Sequence, residues 1–471
     1  MKEGRKLIVG LSVATGLLCL VPASISVLTF ALPSVYSSTF YGEMKDKIEL
    51  IERKQDNRII IIGGSSVPFS LDCSLIKDSL PSYNPVDFGL YASLGTPFML
   101  DMAKDNIKKG DIVIISPEQS EQTLSMYFNA EESWKALDSS LSYVWKVSND
   151  NKPALMAEAP HYVGDKFSYL SSSLPNPKGI YRHDSFNEYG DIKVNRENNI
   201  MDKGIDSNNP IRLDKEVITQ DFIDCLNAFY LDLWSKGATL FYRFSPMNMD
   251  SIKQGNNIDE YYDYLDSKLN FPIMGDPHNS LLEKEWFYDT NYHLNTPGSI
   301  KFTKAFIQDI KLLLKDSSKT DIDDPVMPPL PEPPVIEGDN SDLAYFELEE
   351  KDDSYFIKGL SEEGKKKERL VVPVSYNDKP ISSFSSITFQ NNAIIKEVVI
   401  QNNIKEIADF SFSSSSLEKL ILDLDSPNRV SVGRHLLDGC NANIYVDRSL
   451  LNDFLTNYFF AGYADRIKAK E

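Results

Sequence analysis

Four consecutive isoleucines at residues 59–62 are the feature that most constrains what this 471-residue chain can fold into. Such a run cannot alternate between an inward and an outward face. It therefore predicts a strand buried on both faces, as at the centre of a parallel α/β sheet. The strand ends in Gly63-Gly64-Ser65-Ser66, a turn that would present a hydroxyl at the carboxyl edge of the sheet, where open α/β sheets bind ligands. The alternative is that this Gly/Ser-rich exit merely turns the chain.

The net charge limits the partners of the chain. A formal charge of −20 and a pI near 4.8 argue against nucleic acid, because phosphate binding requires clustered Lys and Arg. Apolar residues at 42% and aromatic residues at 11% are typical of a folded protein. The four cysteines lack CxxC or metal-ligand spacing, so neither a disulfide framework nor a zinc site is predicted; they are Cys19, Cys73, Cys225 and Cys440.

The amino-terminal segment predicts a location. A basic start precedes an apolar run over residues 7–32, which is long enough to span a bilayer as a helix. Positive charge in front of the run places the amino terminus in the cytoplasm and everything after about Tyr36 outside the cell. The alternative is a cleaved signal peptide, whose apolar core is usually only about 7–15 residues long. We expect a retained single-pass membrane anchor over residues 1–36, followed by a polar helical stalk over residues 37–57.

Residues 58–315 have the pattern of an α/β domain. Apolar segments alternate with helical patterns, which implies right-handed crossovers and a mostly parallel sheet. Thr96 and Pro97 are predicted as the N-cap and the first position of a helix. The polar stretch 126–209 is interpreted as an irregular insertion over one end of the sheet, where long insertions often line sites. The further predicted strands lie within residues 86–90, 110–117 and 240–246.

A second motif precedes the last helix of this domain. A Thr-Pro pair at 296–297 predicts the start of that helix, so Asp289 and His293 lie on the loop that enters it. A carboxylate on one ring nitrogen fixes the histidine tautomer, and the other nitrogen is then free to take a proton from a serine. With Ser65, the sequence offers a hydroxyl, a base and an orienting acid. No catalytic role is expected of three other histidines, His161, His183 and His435.

The early Gly-x-Ser and the late Asp…His together resemble the SGNH/GDSL hydrolase family over roughly residues 57–315. The sequences Ile-Gly-Gly-Ser-Ser-Val-Pro-Phe and Tyr-His-Leu-Asn-Thr-Pro-Gly are more narrowly similar to a membrane-anchored Gram-positive branch of that family. The resemblance implies a flavodoxin-like α/β/α sandwich. It also implies that Ser65 is the nucleophile, His293 the base and Asp289 the orienting acid.

The oxyanion hole that the resemblance implies is only partly recognisable. The Ser65 N–H is one donor, and Gly95 is the best match to the family's second motif, with Gly89 as the fallback. The family's Gly-x-Asn-Asp block is missing. In its place residues 116–119 have the sequence Ser-Pro-Glu-Gln, where Gln119 could donate a hydrogen bond and an ionised glutamate could not. One oxyanion donor is worth roughly 10²–10³ in rate.

Two further departures concern the triad itself. The family motif Gly-Asp-Ser is Gly63-Gly64-Ser65 here, which keeps the nucleophile. The family usually places the acid three residues before the histidine, whereas Asp289 is four residues before His293. One extra loop residue is sterically easy. The implied chemistry uses neither a cofactor nor a metal.

The remaining part of the chain consists of a linker and repeats. Residues 316–341 are rich in proline and acidic residues, and predict a semi-rigid polyproline II spacer in solvent; an ordered strap along a domain is the alternative. In residues 342–471, the pattern of 395–400 recurs at 417–422. Units of this kind bury their apolar faces by stacking, and the pattern resembles BspA-type leucine-rich repeats, which implies a short solenoid.

Two functions from different classes are therefore expected. The first is a cell-surface serine esterase or O-acyltransferase of SGNH type that acts on acyl groups of an envelope glycan. The second is a surface protein that has lost the hydrolase activity of its α/β domain and binds a partner through its repeats. Intact Ser65 and His293 favour the first, whereas the missing asparagine and the repeats favour the second.

Overall fold

The isoleucine strand lies at the centre of a parallel sheet in the computed structural model. Strand β1 (Arg58–Gly63) pairs with β2 (Asn84–Gly89) on one side and β3 (Ile112–Ile115) on the other, and β4 (Thr239–Tyr242) pairs with β3. All three pairings are parallel, and the strand order is β2-β1-β3-β4. Every residue of β1 is buried. The prediction of a buried strand in a parallel α/β sheet is confirmed.

The four isoleucines divide between the two faces of this sheet. Ile60 and Ile62 belong to one apolar core, and Ile59 and Ile61 belong to a second. All four side chains are fully buried. Burying one such side chain is worth about 1.5–3 kcal/mol, so both faces contribute to stability and an alternating polar pattern would be costly.

The structure describes the chain except for residues 1–23, 26, 172–173, 176, 178, 208, 331–337, 352–353, 378, 434 and 471. It divides into a first unit, Met1–Pro333, and a second unit, Pro334–Glu471. The helices of the first unit are α1 (Glu43–Glu52), α2 (Ser66–Ser70), α3 (Cys73–Ser79), α4 (Thr96–Ala103), α5 (Ala130–Leu137), α6 (Lys152–Ser171), α7 (Gln220–Lys236), α8 (Ile258–Asp266) and α9 (Thr296–Leu314). Two short strands, β5 (Met247–Asn248) and β6 (Leu281–Leu282), pair in parallel.

Helices α4 and α9 are capped one residue before the predicted positions. Their N-cap residues are Gly95 and Asn295, and the threonines that follow are the first helical residues. The Asn295 side chain accepts a backbone N–H of the first turn at 2.9 Å. The Thr96 hydroxyl donates to the carbonyl of Thr123 at 2.7 Å, and Thr96 itself lies within the helix rather than at its N-cap.

The predicted stalk over residues 37–57 is part of the folded unit. Helix α1 buries Met44, Ile48 and Ile51 fully, in the same core as Ile60. These residues follow the i, i+4, i+7 spacing of an amphipathic helix, and this apolar face requires a partner. The stalk prediction is therefore wrong.

The membrane anchor predicted over residues 1–36 also requires correction. Within the part of the chain that the structure describes, no helix is both long enough and apolar enough to cross a bilayer. Most of the apolar run, up to residue 23, lies outside the described residues, and residues 27–31 form only a short helical segment. The finding contradicts the single-pass anchor.

The insertion predicted over residues 126–209 is more regular than expected, because it contains α5 and α6. Its last part is held by Arg196, which is 3% exposed. The Arg196 guanidinium donates to the carbonyl of Phe69 in α2 at 3.1 Å and to the carbonyl of Leu294, before α9, at 3.1 Å. A single buried side chain therefore links α2 to the loop that enters α9.

The start of the predicted linker is an ordered strap rather than a solvated spacer. Ile322 packs partly against the second core of the first unit. Asp324 pairs with Lys304 of α9 at 2.6 Å, and Pro328 is buried. For the described residues 316–330, the structure favours the alternative of a strap along a domain.

The second unit contains two sheets built largely from parallel pairs. Its elements are β7 (Phe346–Lys351), β8 (Ser354–Leu360), β9 (Arg369–Val371), β10 (Ser375–Tyr376), β11 (Lys379–Phe384), β12 (Glu397–Gln401), β13 (Glu406–Ile407), β14 (Lys419–Asp423), β15 (Ser431–Val432), β16 (Asn443–Val446), α10 (Leu451–Thr456) and β17 (Ile467–Ala469). One sheet has the order β15-β13-β11-β8-β7 with β10 paired to β11, and the other has the order β17-β16-β14-β12-β9. The segments 395–400 and 417–422 contribute β12 and β14, which are direct parallel neighbours.

Candidate active site

The turn after β1 presents Ser65 to the loop that precedes α9. Ser65 is the N-cap residue of α2, and its Oγ lies 2.8 Å from His293 Nε2. The two residues are 228 positions apart in the chain. They meet because the loop that enters α9 reaches the turn after β1, at the carboxyl edge of the sheet. The distance is within the range for proton transfer between a nucleophile and a base.

The His293 ring is fixed from several directions. Its backbone N–H donates to Thr290 Oγ1 at 3.0 Å, and its carbonyl accepts the N–H of Tyr288 at 2.8 Å. The imidazole stacks on Phe69 of α2, with ring centroids 4.0 Å apart and an interplanar angle of 11°. The base is therefore held over the same helix that Ser65 caps.

Asp289 orients this base and has a second partner that the sequence did not indicate. Asp289 Oδ1 lies 2.8 Å from His293 Nδ1, and Oδ2 accepts the hydroxyl of Tyr181 at 2.5 Å. Burial alone would raise the pKa of Asp289. The charge and hydrogen bond of His293, together with the Tyr181 hydroxyl, outweigh burial and hold the pKa below its ordinary value. Asp289 is therefore an anion that can stabilise a positive charge on His293.

The three predicted residues form one chain of hydrogen bonds. With the Nδ1 proton donated to Asp289, His293 Nε2 accepts the Ser65 hydroxyl. Ser65 is 7% exposed and His293 is 5% exposed, so little water reaches the reacting atoms. Exclusion of water strengthens electrostatic interactions within such a site.

Of the predicted oxyanion donors, only the Ser65 N–H is free of an acceptor within the part of the chain that the structure describes. The Gly95 N–H donates to the carbonyl of Ala92 at 3.0 Å, and the fallback Gly89 donates to Asp87 Oδ1 at 2.8 Å.

The Gln119 side-chain amide is also engaged elsewhere. Its Nε2 donates to the hydroxyl of Tyr242 at 3.1 Å and to the carbonyl of Pro117 at 3.3 Å. The N–H groups of this amide are therefore bonded to other parts of the chain. The assignments of Gly95 and Gln119 to the oxyanion hole are corrected.

Within the described residues, one group of side chains could hold a metal ion. Its members do not belong to the elements that carry Ser65 and His293. Glu43 and Asp46 of α1 and His183 have ligand atoms within 4.8 Å of one another. His183 Nε2 lies 2.8 Å from Asp46 Oδ2, so a hydrogen bond already accounts for that contact. His161 and His435 likewise lie beside carboxylates, those of Glu158 and Asp438.

Comparisons with known proteins give structural neighbours but no family. No protein-family model matches the chain, and no curated protein matches it. Among solved structures, the crystal structure of protein YxiM from Bacillus subtilis matches with 10% sequence identity and a TM-score of 0.26. The match covers 55% of this chain and 58% of that one. A TM-score this low supports no conclusion about function. Function is therefore inferred from the geometry of the Ser65–His293–Asp289 site.

Proposed function

We propose that the chain is a serine esterase or O-acyltransferase of SGNH type that acts on O-acyl groups of a glycan. The observation that carries the proposal is the chain from Ser65 Oγ through His293 to Asp289, with 2.8 Å at each link. A hydroxyl beside a base that is oriented by a third group is the arrangement of an activated nucleophile. The net negative charge of the chain and the resemblance of its two motifs to the SGNH family support an uncharged ester as the substrate.

In the first half-reaction, Ser65 Oγ attacks the carbonyl carbon of the ester while His293 Nε2 takes the hydroxyl proton. The carbonyl oxygen becomes an oxyanion within reach of the Ser65 N–H. When the intermediate collapses, the bond to the alkoxide breaks and His293 returns the proton to that oxygen. Asp289 stabilises the imidazolium without taking the proton itself.

In the second half-reaction, an acceptor hydroxyl gives its proton to His293 and attacks the acyl group on Ser65. The Oγ–carbon bond then breaks, and the proton returns to Ser65 Oγ. Water as the acceptor gives hydrolysis, and a sugar hydroxyl gives transfer. The low exposure of Ser65 favours an acceptor that binds in place of bulk water.

The same proposal includes a specific fold for each of the two units. The order β2-β1-β3-β4 with an apolar core on each face supports a flavodoxin-like SGNH sandwich in the first unit. The parallel neighbours β12, β14 and β16 support a short leucine-rich repeat solenoid in the second unit. Repeat surfaces of this kind bind partners, and here that role rests on analogy.

The second candidate is a retired hydrolase that acts as a binding protein through its repeats. The observation that favours it is the oxyanion hole, because the N–H groups of Gly95 and Gln119 are bonded elsewhere. Losing one donor costs roughly 10²–10³ in rate, which lowers activity without abolishing the chemistry of the serine.

Hydrolysis of a p-nitrophenyl ester series by the full chain tests the proposal. We expect activity in the wild type and loss of activity in both Ser65→Ala and His293→Ala, because the pair acts as one unit. His278→Ala is the matched control, since His278 is exposed and pairs with Asp259 at 2.8 Å. Equal activity in wild type and Ser65→Ala, or none in a folded wild type, would favour the binding protein.

A further inference from the structure

The nucleophile turn lacks a side chain at Gly64, and the carboxyl of Glu118 occupies the space where one would be. A Cβ added at Gly64 would lie 2.5 Å from Glu118 Oε1, 2.6 Å from Cδ and closer still to Oε2. Gly64 has no positive φ, so backbone conformation does not demand glycine there. The demand is steric and comes from Glu118.

Glu118 also bonds directly to the turn. Its Oε1 accepts the N–H of Ser66 at 2.8 Å. Ser66 is the first residue of α2, so its N–H has no acceptor within the helix and needs one from outside. Glu118 therefore satisfies an otherwise orphaned donor on the carboxyl side of Ser65 and packs against the backbone on its amino side.

The environment of Glu118 shows that this contact is built into the interior. The residue is 3% exposed, and among the described residues its Oε2 has no hydrogen-bond partner. Burial raises the pKa of Glu118 above its ordinary value, while the Ser66 N–H and the charge of His293 partly offset this effect. A buried carboxyl with one free oxygen is costly, so a role for it is expected.

We propose that Glu118 is the positioning residue of the nucleophile turn, taking the place of a side chain at residue 64. The carboxyl holds the backbone on both sides of Ser65, and so fixes the direction of the Ser65 Oγ and of its free N–H. This inference rests on the proposed function. It also explains why the turn has Gly64 and why residue 118 carries a side-chain oxygen that can accept the Ser66 N–H: each is the complement of the other.

Fluorophosphonate labelling rates of the full chain test the catalytic part. Glu118→Ala should lower the labelling rate about 100-fold, the scale of a 1 Å misplacement of a reacting group. Glu118→Gln should restore most of the rate, because its side-chain oxygen can still accept the Ser66 N–H. With an ester substrate, the loss in Glu118→Ala should appear in kcat and leave KM unchanged.

The control for charge and loop position is Glu121→Ala. Glu121 is exposed and pairs with Arg212 at 3.0 Å, so its loss should leave the labelling rate unchanged. A labelling rate in Glu118→Ala equal to that of wild type, in folded protein, would overturn the proposal.

A melting cycle tests the complementarity without requiring any catalysis. Gly64→Ala should lower the Tm of the first unit, because its methyl group meets the Glu118 carboxyl. In a Glu118→Ala background the same substitution should cost much less, so the two losses are not additive. Gly164→Ala is the matched control, since a Cβ there meets nothing within 4 Å on helix α6.

The two measurements separate the two proposals. Labelling of the wild type supports the proposed function, and no labelling refutes it. The melting cycle then stands alone: non-additive losses support Glu118 as the complement of Gly64, and additive losses overturn that assignment even if the wild type is labelled.

Discussion

Replacing Lys47 with methionine is a sharp test of where α1 lies. Lys47 Nζ is 3.0 Å from Asp87 Oδ1 and donates to the carbonyl of Gly190 at 2.7 Å, and both charged side chains are fully buried. Methionine keeps the apolar stem and leaves Asp87 without its cation. Burial already raises the pKa of Asp87 to about 6 in the presence of Lys47. Breaking a buried pair by removing one partner costs about 3–5 kcal/mol.

Urea denaturation of the full chain at pH 7 measures this loss. The four tryptophans are all in the first unit, at residues 134, 145, 234 and 286, so their fluorescence reports that unit alone. Lys45→Met is the matched control on the same helix. Lys45 is exposed and pairs with Glu49 at 3.6 Å, an interaction worth about 0.3–0.5 kcal/mol. A loss for Lys47→Met no larger than that of the control would refute the packing of α1.

Three further predictions concern Tyr181, Asp191 and the core of the second unit. Tyr181→Phe removes the donor to Asp289 Oδ2 and should lower kcat about tenfold, equivalent to about 1.4 kcal/mol; an unchanged kcat would mean that Tyr181 only packs. Burial, and then the charge of Asp87, raise the pKa of Asp191 from 3.8 to about 8, so the folded chain keeps a proton that the unfolded chain releases. The contribution of Asp191 to stability should therefore fall as the pH rises from about 4 to 8, and Asp191→Asn should remove that part of the curve of Tm against pH; an unchanged curve contradicts this assignment. A fragment of residues 338–471 should melt cooperatively by circular dichroism because its core is built from its own residues, and a gradual melt would contradict that.

Much of what positions the site was visible in local sequence. The isoleucine run predicted a strand buried on both faces, and the two cores show why no alternation was needed. Ser65 and the Asp289…His293 loop were recognisable because each follows or precedes a regular element, and parallel topology brings such element ends to one edge. The spacing of Met44, Ile48 and Ile51 indicates an apolar face on the predicted helix, and the interpretation as a polar stalk overlooked that face.

Long-range hydrogen bonds were not visible in the sequence. Tyr181 reaches Asp289 from a residue 108 positions away, and no local pattern marks that pairing. Whether the Gly95 N–H is free depends on its bond to Ala92, which sequence spacing does not show. The Thr-Pro pairs located two helix starts to within one residue. They did not identify the cap, because each threonine lies within its helix and the residue before it is the N-cap.

Peptide mass spectrometry of the full chain after fluorophosphonate treatment shows directly whether Ser65 is the nucleophile. We expect one adduct on Ser65 Oγ, absent in Ser65→Ala and in His293→Ala. Ser66→Ala should still be labelled, because it keeps the backbone N–H that bonds to Glu118. An adduct that survives Ser65→Ala, or a folded wild type that takes no label, would contradict the account.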